Sequence, residues 1–288
     1  MTYYYGGQNR GMGIPIQWII GIVIAIGGFI AYFSHTSVNP TTGEKQRVSL
    51  TSDQEIALGM QAAPQMIEEM GGEIPPSDPQ AREVQYIGNR VWRNSDAARS
   101  PYTYQYHLLA DPKTVNAFAL PGGQIFITKG LLDRLTTEGE VAGVLGHETG
   151  HVVERHVAQQ MAKGSLGQSL VTAVGVASSG NQHGISQTMI AQMVNKMTQL
   201  RFSREDESQA DQKGLEFMSQ AGYDPTAMLH VMEVLKKVTD EQGGRPPEML
   251  QTHPYPESRM EQIKAWLKEK FPNGVSGLAD PPLPWVRR

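Results

Sequence analysis

Residues 146–151 read Gly-His-Glu-Thr-Gly-His, and both the fold and the chemistry of this chain follow from that stretch. The surrounding pattern predicts a helix over 138–162. Histidines four residues apart lie above one another on one helix face, so His147 and His151 can bind one metal ion. Glu148 projects about 100° around the helix from His147, where it can take a proton from metal-bound water.

The residues flanking this motif predict a buried helix. Thr137 followed by Glu140 is a capping-box pattern that marks the helix start. The alternative, a surface helix with two unrelated histidines, is disfavoured by the apolar neighbours Val141, Val144, Leu145 and Val152. Glycines are poor helix formers, so their clustering predicts that another element packs very closely here. They are Gly139, Gly143, Gly146 and Gly150.

The third metal ligand is not expected on the same helix. One class of zinc peptidases carries a third histidine six residues beyond the second, a position that Val157 occupies here. His156 lies about 140° around a continuous helix from His151, so it cannot share the metal if the helix continues. A carboxylate on a later helix is therefore the expected ligand.

Residues 202–214 (FSREDESQADQKG) supply the candidate carboxylates Glu205, Asp206, Glu207 and Asp211. Spacing alone leaves the choice among them open, and a charged, solvated helix face is the alternative. Glu207 and Asp211 are four residues apart. If Glu207 binds the metal, Asp211 can accept a hydrogen bond from the free ring nitrogen of a ligand histidine.

The composition narrows the possible chemistry. The chain has 288 residues, a net charge of −4 and no cysteine. The absence of cysteine excludes disulfides, thiolate zinc sites and cysteine nucleophiles, so His and carboxylates must hold any metal. A nucleic-acid binder would show a basic balance, so we expect no nucleic-acid partner. Oligomerisation is possible, but nothing in the sequence indicates it.

An apolar segment at 14–33 (IPIQWIIGIVIAIGGFIAYF) carries no charged side chain and has the length that crosses a bilayer. It predicts one transmembrane helix, with a cleaved signal peptide as the alternative. The predicted organisation is an N-terminal tail at 1–13, the anchor at 14–33, a linker at 34–50, a peptidase domain at 51–272 and a C-terminal tail at 273–288.

The rest of the chain places strands before helices, which indicates an α+β fold. Helices are predicted near 51–70 and 78–94, the first with Thr51 or Ser52 as its N-cap and with Glu55, three residues after Ser52, as the partner in a capping box. Three strands follow at 102–110, 115–120 and 124–128. Later helices are predicted at 130–136, 138–162, 187–220, 225–240 and 257–270. The fold class is a mainly helical, zincin-like metallopeptidase domain with a small β-sheet, preceded by one transmembrane helix.

Four motifs in this order resemble one metallopeptidase family, that of the CAAX prenyl proteases and the HtpX-like heat-shock proteases. The resemblance covers roughly residues 51–270, and the soluble-domain branch, with its periplasmic quality-control and Oma-type proteases, is the most similar. The motifs are Asn116 to Gly123 (NAFALPGG), Gly146 to His151 with Arg155-His156, Phe202 to Gly214, and Thr252-His253-Pro254 with Arg259. Unlike the multi-spanning members, this chain is expected to have a single span.

The resemblance implies a role for each matching residue. Glu207 is the implied third ligand, and Asp211 is the implied partner of a ligand histidine. His253 either binds the metal in a resting state or stabilises the oxyanion. Asn116, Ala117, Phe118 and Ala119 lie on an implied edge strand that pairs with an extended substrate.

Together these features predict a membrane-anchored zinc metalloendopeptidase with one Zn²⁺ per chain, acting on unfolded or misassembled polypeptides. The expected location is a bacterial inner membrane with the peptidase on the periplasmic side. The alternative is a catalytically latent, membrane-tethered zinc-binding chaperone or binding module. An intact Glu148 favours the enzyme, because a structural zinc site needs no base.

Overall fold

The computed structural model describes residues 36–163, 190–191, 194–195, 197, 200–254 and 257–286. The predicted tail at 1–13 and the predicted anchor at 14–33 lie outside the described residues, as does much of the first half of the helix predicted at 187–220. Among the helices that are described, none is both long and apolar enough to span a bilayer.

The described chain is mainly helical with two small sheets, in agreement with the predicted α+β class. A short 3-10 helix at Asp96–Arg99 precedes the strands of the larger sheet. The strands are β1 (Thr36–Val38), β2 (Lys45–Arg47), β3 (Gln105–Leu109), β4 (Ala117–Ala119) and β5 (Gln124–Thr128). The helices are α1 (Ser52–Glu69), α2 (Pro79–Arg93), α3 (Lys129–Leu132), α4 (Glu138–Val153), α5 (His156–Lys163), α6 (Arg204–Gln220), α7 (Ala227–Glu241), α8 (Glu248–Thr252) and α9 (Glu257–Lys270).

The larger sheet has the order β3-β5-β4. β5 lies in the centre, parallel to β3 and antiparallel to β4, with Phe118 opposite Phe126. All five residues of β5 are buried, as expected for a central strand that is covered on both faces. β4 therefore forms one edge of the sheet within the described part of the chain.

Helix α4 is the centre of the molecule and packs against α2, α6 and α7 as well as β4. Its contact with α6 is backbone to backbone: a Cβ placed on Gly214 would lie 2.9 Å from the His147 amide nitrogen. Likewise, a Cβ on Gly150 would lie 3.0 Å from the Ala210 carbonyl oxygen. The close packing predicted from the glycines of this helix is confirmed, and it brings the side chains of α4 and α6 within reach of each other.

The segment predicted as a linker at 34–50 contains the β1–β2 hairpin, which packs on the end of α4. The Asn39 side-chain amide donates to the Val153 carbonyl at 2.7 Å, and that of Gln46 donates to the Glu154 carbonyl at 2.9 Å. These buried amides satisfy the last carbonyls of α4, which have no partner within the helix. Their polar character gave no sign of burial in the sequence.

The segment predicted as a C-terminal tail at 273–288 also contacts the domain. Leu283 is fully buried, and an Asp280 carboxylate oxygen accepts a hydrogen bond from the Gly139 amide at 2.9 Å. That contact places a negative charge at the N-terminus of α4, where the helix dipole favours one.

Three local predictions were wrong. The helix predicted over 187–220 is interrupted, because residues 200–203 are not helical and Ser203 caps a new helix, α6, that begins at Arg204. The N-cap of α1 is Thr51, one of the two predicted candidates, but its capping box is formed with Gln54 and not by Ser52 with Glu55, because Glu55 is buried in an ion pair with Arg155. The helix predicted over 138–162 is two helices, α4 and α5. The chain turns at Arg155, whose φ of 58° is left-handed and ends the regular helix.

Candidate metal centre

Three helices bring four potential metal ligands together. His147 and His151 come from α4, Glu207 from the first turn of α6, and His253 from the residue that ends α8. One donor atom from each of the four lies within 4.8 Å of all the others, and all four side chains are buried. Among the described residues, this is the group that could hold a metal ion.

The spacing of these donors suits a tetrahedral ion. The Nε2 atoms of His147 and His151 are 3.1 Å apart, and Glu207 oxygens lie 3.7 and 3.4 Å from them. Zinc bonds of 2.0–2.2 Å in a tetrahedron separate neighbouring ligand atoms by about 3.3 Å. Burial holds the pKa of His151 well below its ordinary value, which favours the neutral imidazole that binds metal. The residues present therefore fit zinc.

Glu148 lies beside this cluster but is not one of its four potential metal ligands. Its side chain is fully buried, and neither carboxylate oxygen has a hydrogen-bond partner among the described residues. Its Oε1 atom is 3.7 Å from His253 Nε2, and burial raises the pKa of the carboxyl group. A buried carboxylate without a fixed partner is unusual, and one beside a metal is suited to exchanging protons.

Asp211 and Arg259 contact two of the potential ligands, His147 and Glu207. The Asp211 carboxylate lies 2.9 Å from His147 Nδ1, on the ring edge opposite the donor atom. Arg259 donates two hydrogen bonds to Asp211, at 2.7 and 2.6 Å, and lies 2.5 Å from a Glu207 oxygen. Burial acts to raise the pKa of Asp211, but Arg259 and His147 outweigh it and keep the carboxyl ionised. Arg259 thus forms ion pairs with two buried acids at once.

His253 lies inside the cluster. Its Nδ1 atom is 2.9 Å from Glu207 Oε1 and 3.4 Å from His147 Nε2. The ring also stands near Phe202, with centroids 5.0 Å apart. His253 is therefore close enough to act either as a fourth donor or as a group that contacts a substrate on the metal.

Two neighbours of His151 were missed by the sequence reasoning. The Phe202 ring lies 4.1 Å from the His151 ring, centroid to centroid. The Nδ1 atoms of His156 and His151 are 2.9 Å apart. On a continuous helix His156 would lie away from the metal. It is indeed outside the four-donor group, but the turn at Arg155 makes it a direct neighbour of the donor residue His151.

The four residues with an implied substrate role lie at the sheet edge beside α4. Asn116 precedes β4 and is buried, and its Oδ1 atom has no partner among the described residues. Ala117 and Ala119 are buried, and Phe118 between them is half-buried and stacks on Phe126 with centroids 4.9 Å apart. The outer edge of β4 meets no other strand in the described part of the chain.

Comparison with known proteins gives a consistent result. The family model described as "Peptidase family M48" matches residues 78–267. A mitochondrial metalloendopeptidase OMA1 of Schizosaccharomyces pombe is 33% identical over 254 residues, which cover 88% of this chain and 72% of that protein.

Two bacterial relatives are similar at lower identity. A beta-barrel assembly-enhancing protease of Yersinia pestis is 29% identical over 84% of this chain and 49% of its own length. Metalloprotease LoiP of Escherichia coli is 29% identical over 76% of this chain and 82% of its own length. The chain thus spans about half of the length of the beta-barrel assembly-enhancing protease that it matches.

Proposed function

Since this chain belongs to peptidase family M48 and is a zinc metalloendopeptidase, we propose that His147, His151 and Glu207 hold the zinc and that Glu148 is the catalytic base. The observation that carries this assignment is the buried cluster of donors with the spacing of a zinc tetrahedron, beside a carboxylate that has no other partner among the described residues.

Each residue has a distinct part in the proposed mechanism. Zinc, when bound, polarises the scissile carbonyl and makes a water molecule more acidic. Glu148 takes the proton of the attacking water and passes it to the leaving amine. His253 donates a hydrogen bond to the oxyanion. Asp211, fixed by Arg259, keeps His147 in the tautomer whose Nε2 is free to bind metal.

The proposed substrate is an extended segment of an unfolded or misassembled polypeptide. An extended chain can pair with the outer edge of β4, which gives main-chain affinity with little selectivity for sequence. Asn116, Ala117, Phe118 and Ala119 line this route, and the packing of β4 on α4 supports it. The name of the beta-barrel assembly-enhancing relatives is compatible with a substrate of this kind.

We also propose that 14–33 anchors the peptidase domain of 51–272 to a bacterial inner membrane, with the site on the periplasmic side. The support is the uncharged apolar run of bilayer length. Fractionation tests this part separately: a chain with three Lys substitutions within 14–33 should leave the membrane pellet, and retention in the pellet would contradict an anchor.

A second candidate, a latent zinc-binding module, is favoured by the position of His253. A ring that lies 2.9 Å from Glu207 and 3.4 Å from His147 can occupy the fourth position on the metal. In that state the water site is blocked, and activity requires displacement of His253.

Hydrolysis of unfolded casein by the purified full chain in detergent tests both candidates, with Glu148→Gln and His253→Ala alongside. We expect the wild type to cleave, Glu148→Gln to bind one zinc without cleaving, and chelator to abolish cleavage. Cleavage by His253→Ala alone would instead support the latent module. Cleavage that persists in Glu148→Gln would overturn the assignment of the base.

A further inference from the structure

The hydrogen-bond partner of His151 Nδ1 is another imidazole, that of His156. His151 directs Nε2 toward the proposed metal position, 3.4 Å from Glu207 Oε1, and its Nδ1 lies 2.9 Å from His156 Nδ1. The opposite nitrogen of His156 lies 3.0 Å from the side-chain oxygen of Gln209, on α6. His147, by contrast, has the carboxylate of Asp211 behind it.

Only one arrangement of protons makes this chain of contacts compatible with metal binding. A metal takes the lone pair of His151 Nε2, so the proton of that neutral ring must be on Nδ1. His156 Nδ1 must then accept, which places the His156 proton on Nε2. That proton needs an acceptor, and the Gln209 oxygen supplies it. The opposite arrangement would place a proton on His151 Nε2 and exclude the metal.

The turn between α4 and α5 is what brings His156 to this position. On a continuous helix, His156 would lie about 140° around the axis from His151. The left-handed residue Arg155, with φ of 58°, breaks the helix and returns His156 to the same side. His156 is fully buried there.

Arg155 is held in this uncommon conformation by buried contacts with the segment before α1 and with α1 itself. Its guanidinium donates to Glu55 at 2.6 and 3.0 Å, to the Leu50 carbonyl at 2.7 Å and to the Ser37 hydroxyl at 3.2 Å. These three partners fix the Arg155 side chain and so stabilise its left-handed backbone, a conformation that costs free energy in residues other than glycine.

We propose that His156, oriented by Gln209, is a positioning residue that sets the tautomer and ring orientation of His151. The proposal rests on the function proposed above, because it requires His151 to bind the metal. In this proposal His156 acts through its contact with His151, and Arg155 acts through the turn that places His156. Neither residue needs to contact metal or substrate.

Zinc affinity of the full chain, measured by competition with a chromophoric chelator, tests the proposal. His156→Phe keeps a ring but removes the acceptor, and we expect it to weaken zinc binding by about 10- to 100-fold. His156→Asn keeps a carbonyl oxygen at the same number of bonds from the backbone as Nδ1, so it should recover most of the loss.

Substitutions of Gln209 provide a test that does not disturb the core, since Gln209 is only half-buried. Gln209→Leu should weaken zinc binding, and Gln209→Glu, which still accepts from His156, should not. Gln212→Leu on the exposed face of the same helix is the matched control. The absorption spectrum of the cobalt-substituted protein should change in His156→Phe and Gln209→Leu but not in the other variants.

The outcomes separate this inference from the proposed function. If the wild type and Glu148→Gln bind no zinc, the metal centre itself is wrong. If the wild type binds zinc and His156→Phe binds it equally tightly, the positioning role is overturned while the metal centre stands. Equal losses in His156→Phe and His156→Asn, with unchanged melting temperatures of the metal-free proteins, would also overturn it.

Discussion

At the scale of single residues, Arg259 is a buried cation that pairs with two acids of the site. It is buried and contacts the carboxylates of Glu207 and Asp211. Removing one partner of a buried ion pair leaves an uncompensated charge in a medium that solvates it poorly. Burial acts to lower the pKa of Arg259, but the two acids outweigh it and keep the guanidinium charged.

Arg259→Met is therefore expected to lower the free energy of unfolding by about 3–5 kcal/mol. The measurement is the denaturant dependence of the folded fraction, with zinc present. Arg259→Lys keeps the charge but not the two-pronged geometry, so it should recover only part of the loss. A denaturant unfolding curve of Arg259→Met that matches the wild type would contradict this prediction, because other groups would then compensate the charges of the two acids.

Glu154 gives a residue-scale prediction about pH. Burial raises its pKa to about 7, Glu44 and Glu216 act in the same direction, and Lys213 acts against them. Because the pKa in the folded state lies above the ordinary value of 4.5, the fold favours the protonated carboxyl. This contribution is present below pH 4.5 and is lost as the pH rises to about 7.

Glu154→Gln resembles the protonated carboxyl at every pH, so it should remove this decline. We expect the melting temperature of Glu154→Gln to exceed that of the wild type at pH 8 and to approach it at pH 5. Glu44→Gln, on the exposed hairpin, should show a smaller effect of the same sign. A difference between variant and wild type that does not change with pH would contradict the raised pKa.

Some residues of the site can be predicted from the sequence, and others cannot. The spacing of His147 and His151 is enough to place them on one helix face. Glu207 could not be separated from three neighbouring acids by spacing, and only the family resemblance singled it out. His156 was missed because its position depends on a left-handed Arg155, a conformation that the residue type does not signal.

At the scale of elements, the contact between α4 and α6 sets the distance between the histidines and Glu207. Gly214 lies against the backbone of α4, and neither backbone can yield without moving a helix. Gly143, on α4 itself, faces the flexible Met228 side chain at 3.4 Å instead. The two glycines therefore differ in what an added methyl group would displace.

Gly214→Ala should push α6 away from α4, lower stability by about 1–3 kcal/mol and weaken zinc binding, because Glu207 and Asp211 move with α6. Gly143→Ala is the matched control. There the added Cβ meets a side chain that can move, and alanine favours the helix by about 1 kcal/mol over glycine. Equal zinc affinities in the two variants, by chelator competition, would show that α6 tolerates the shift.

The elements that the sequence predicts well are those with a strong local pattern. Helices α1 and α2 have capping residues and α7 has an amphipathic pattern, and the strands of the larger sheet occur in the predicted order. The β1–β2 hairpin was predicted as linker because its strands have only three residues each and its buried anchors, Asn39 and Gln46, are polar. Such anchoring depends on carbonyls at the end of α4, over 100 residues away.

At the scale of the whole molecule, the proposed ligands come from segments that are distant in the chain. His147 and Glu207 are 60 residues apart, and His253 follows 46 residues after Glu207. An ion held by all of them would join α4, α6 and the end of α8 in the folded state only. Metal binding would then contribute directly to the stability of the fold.

Removal of zinc should therefore lower the melting temperature of the full chain, and titration with zinc should raise it again. At a free zinc concentration of 100 times Kd, the expected stabilisation is about 2.7 kcal/mol. Glu207→Gln should lose most of this zinc-dependent increase, whereas Glu205→Gln, on the exposed side of the same helical turn, should keep it. Because Glu207→Gln also removes a charge that Arg259 neutralises, the informative quantity is the difference between zinc-loaded and metal-free melting temperatures within each variant. If that difference is the same in both variants, the carboxylate that completes the metal site is not Glu207.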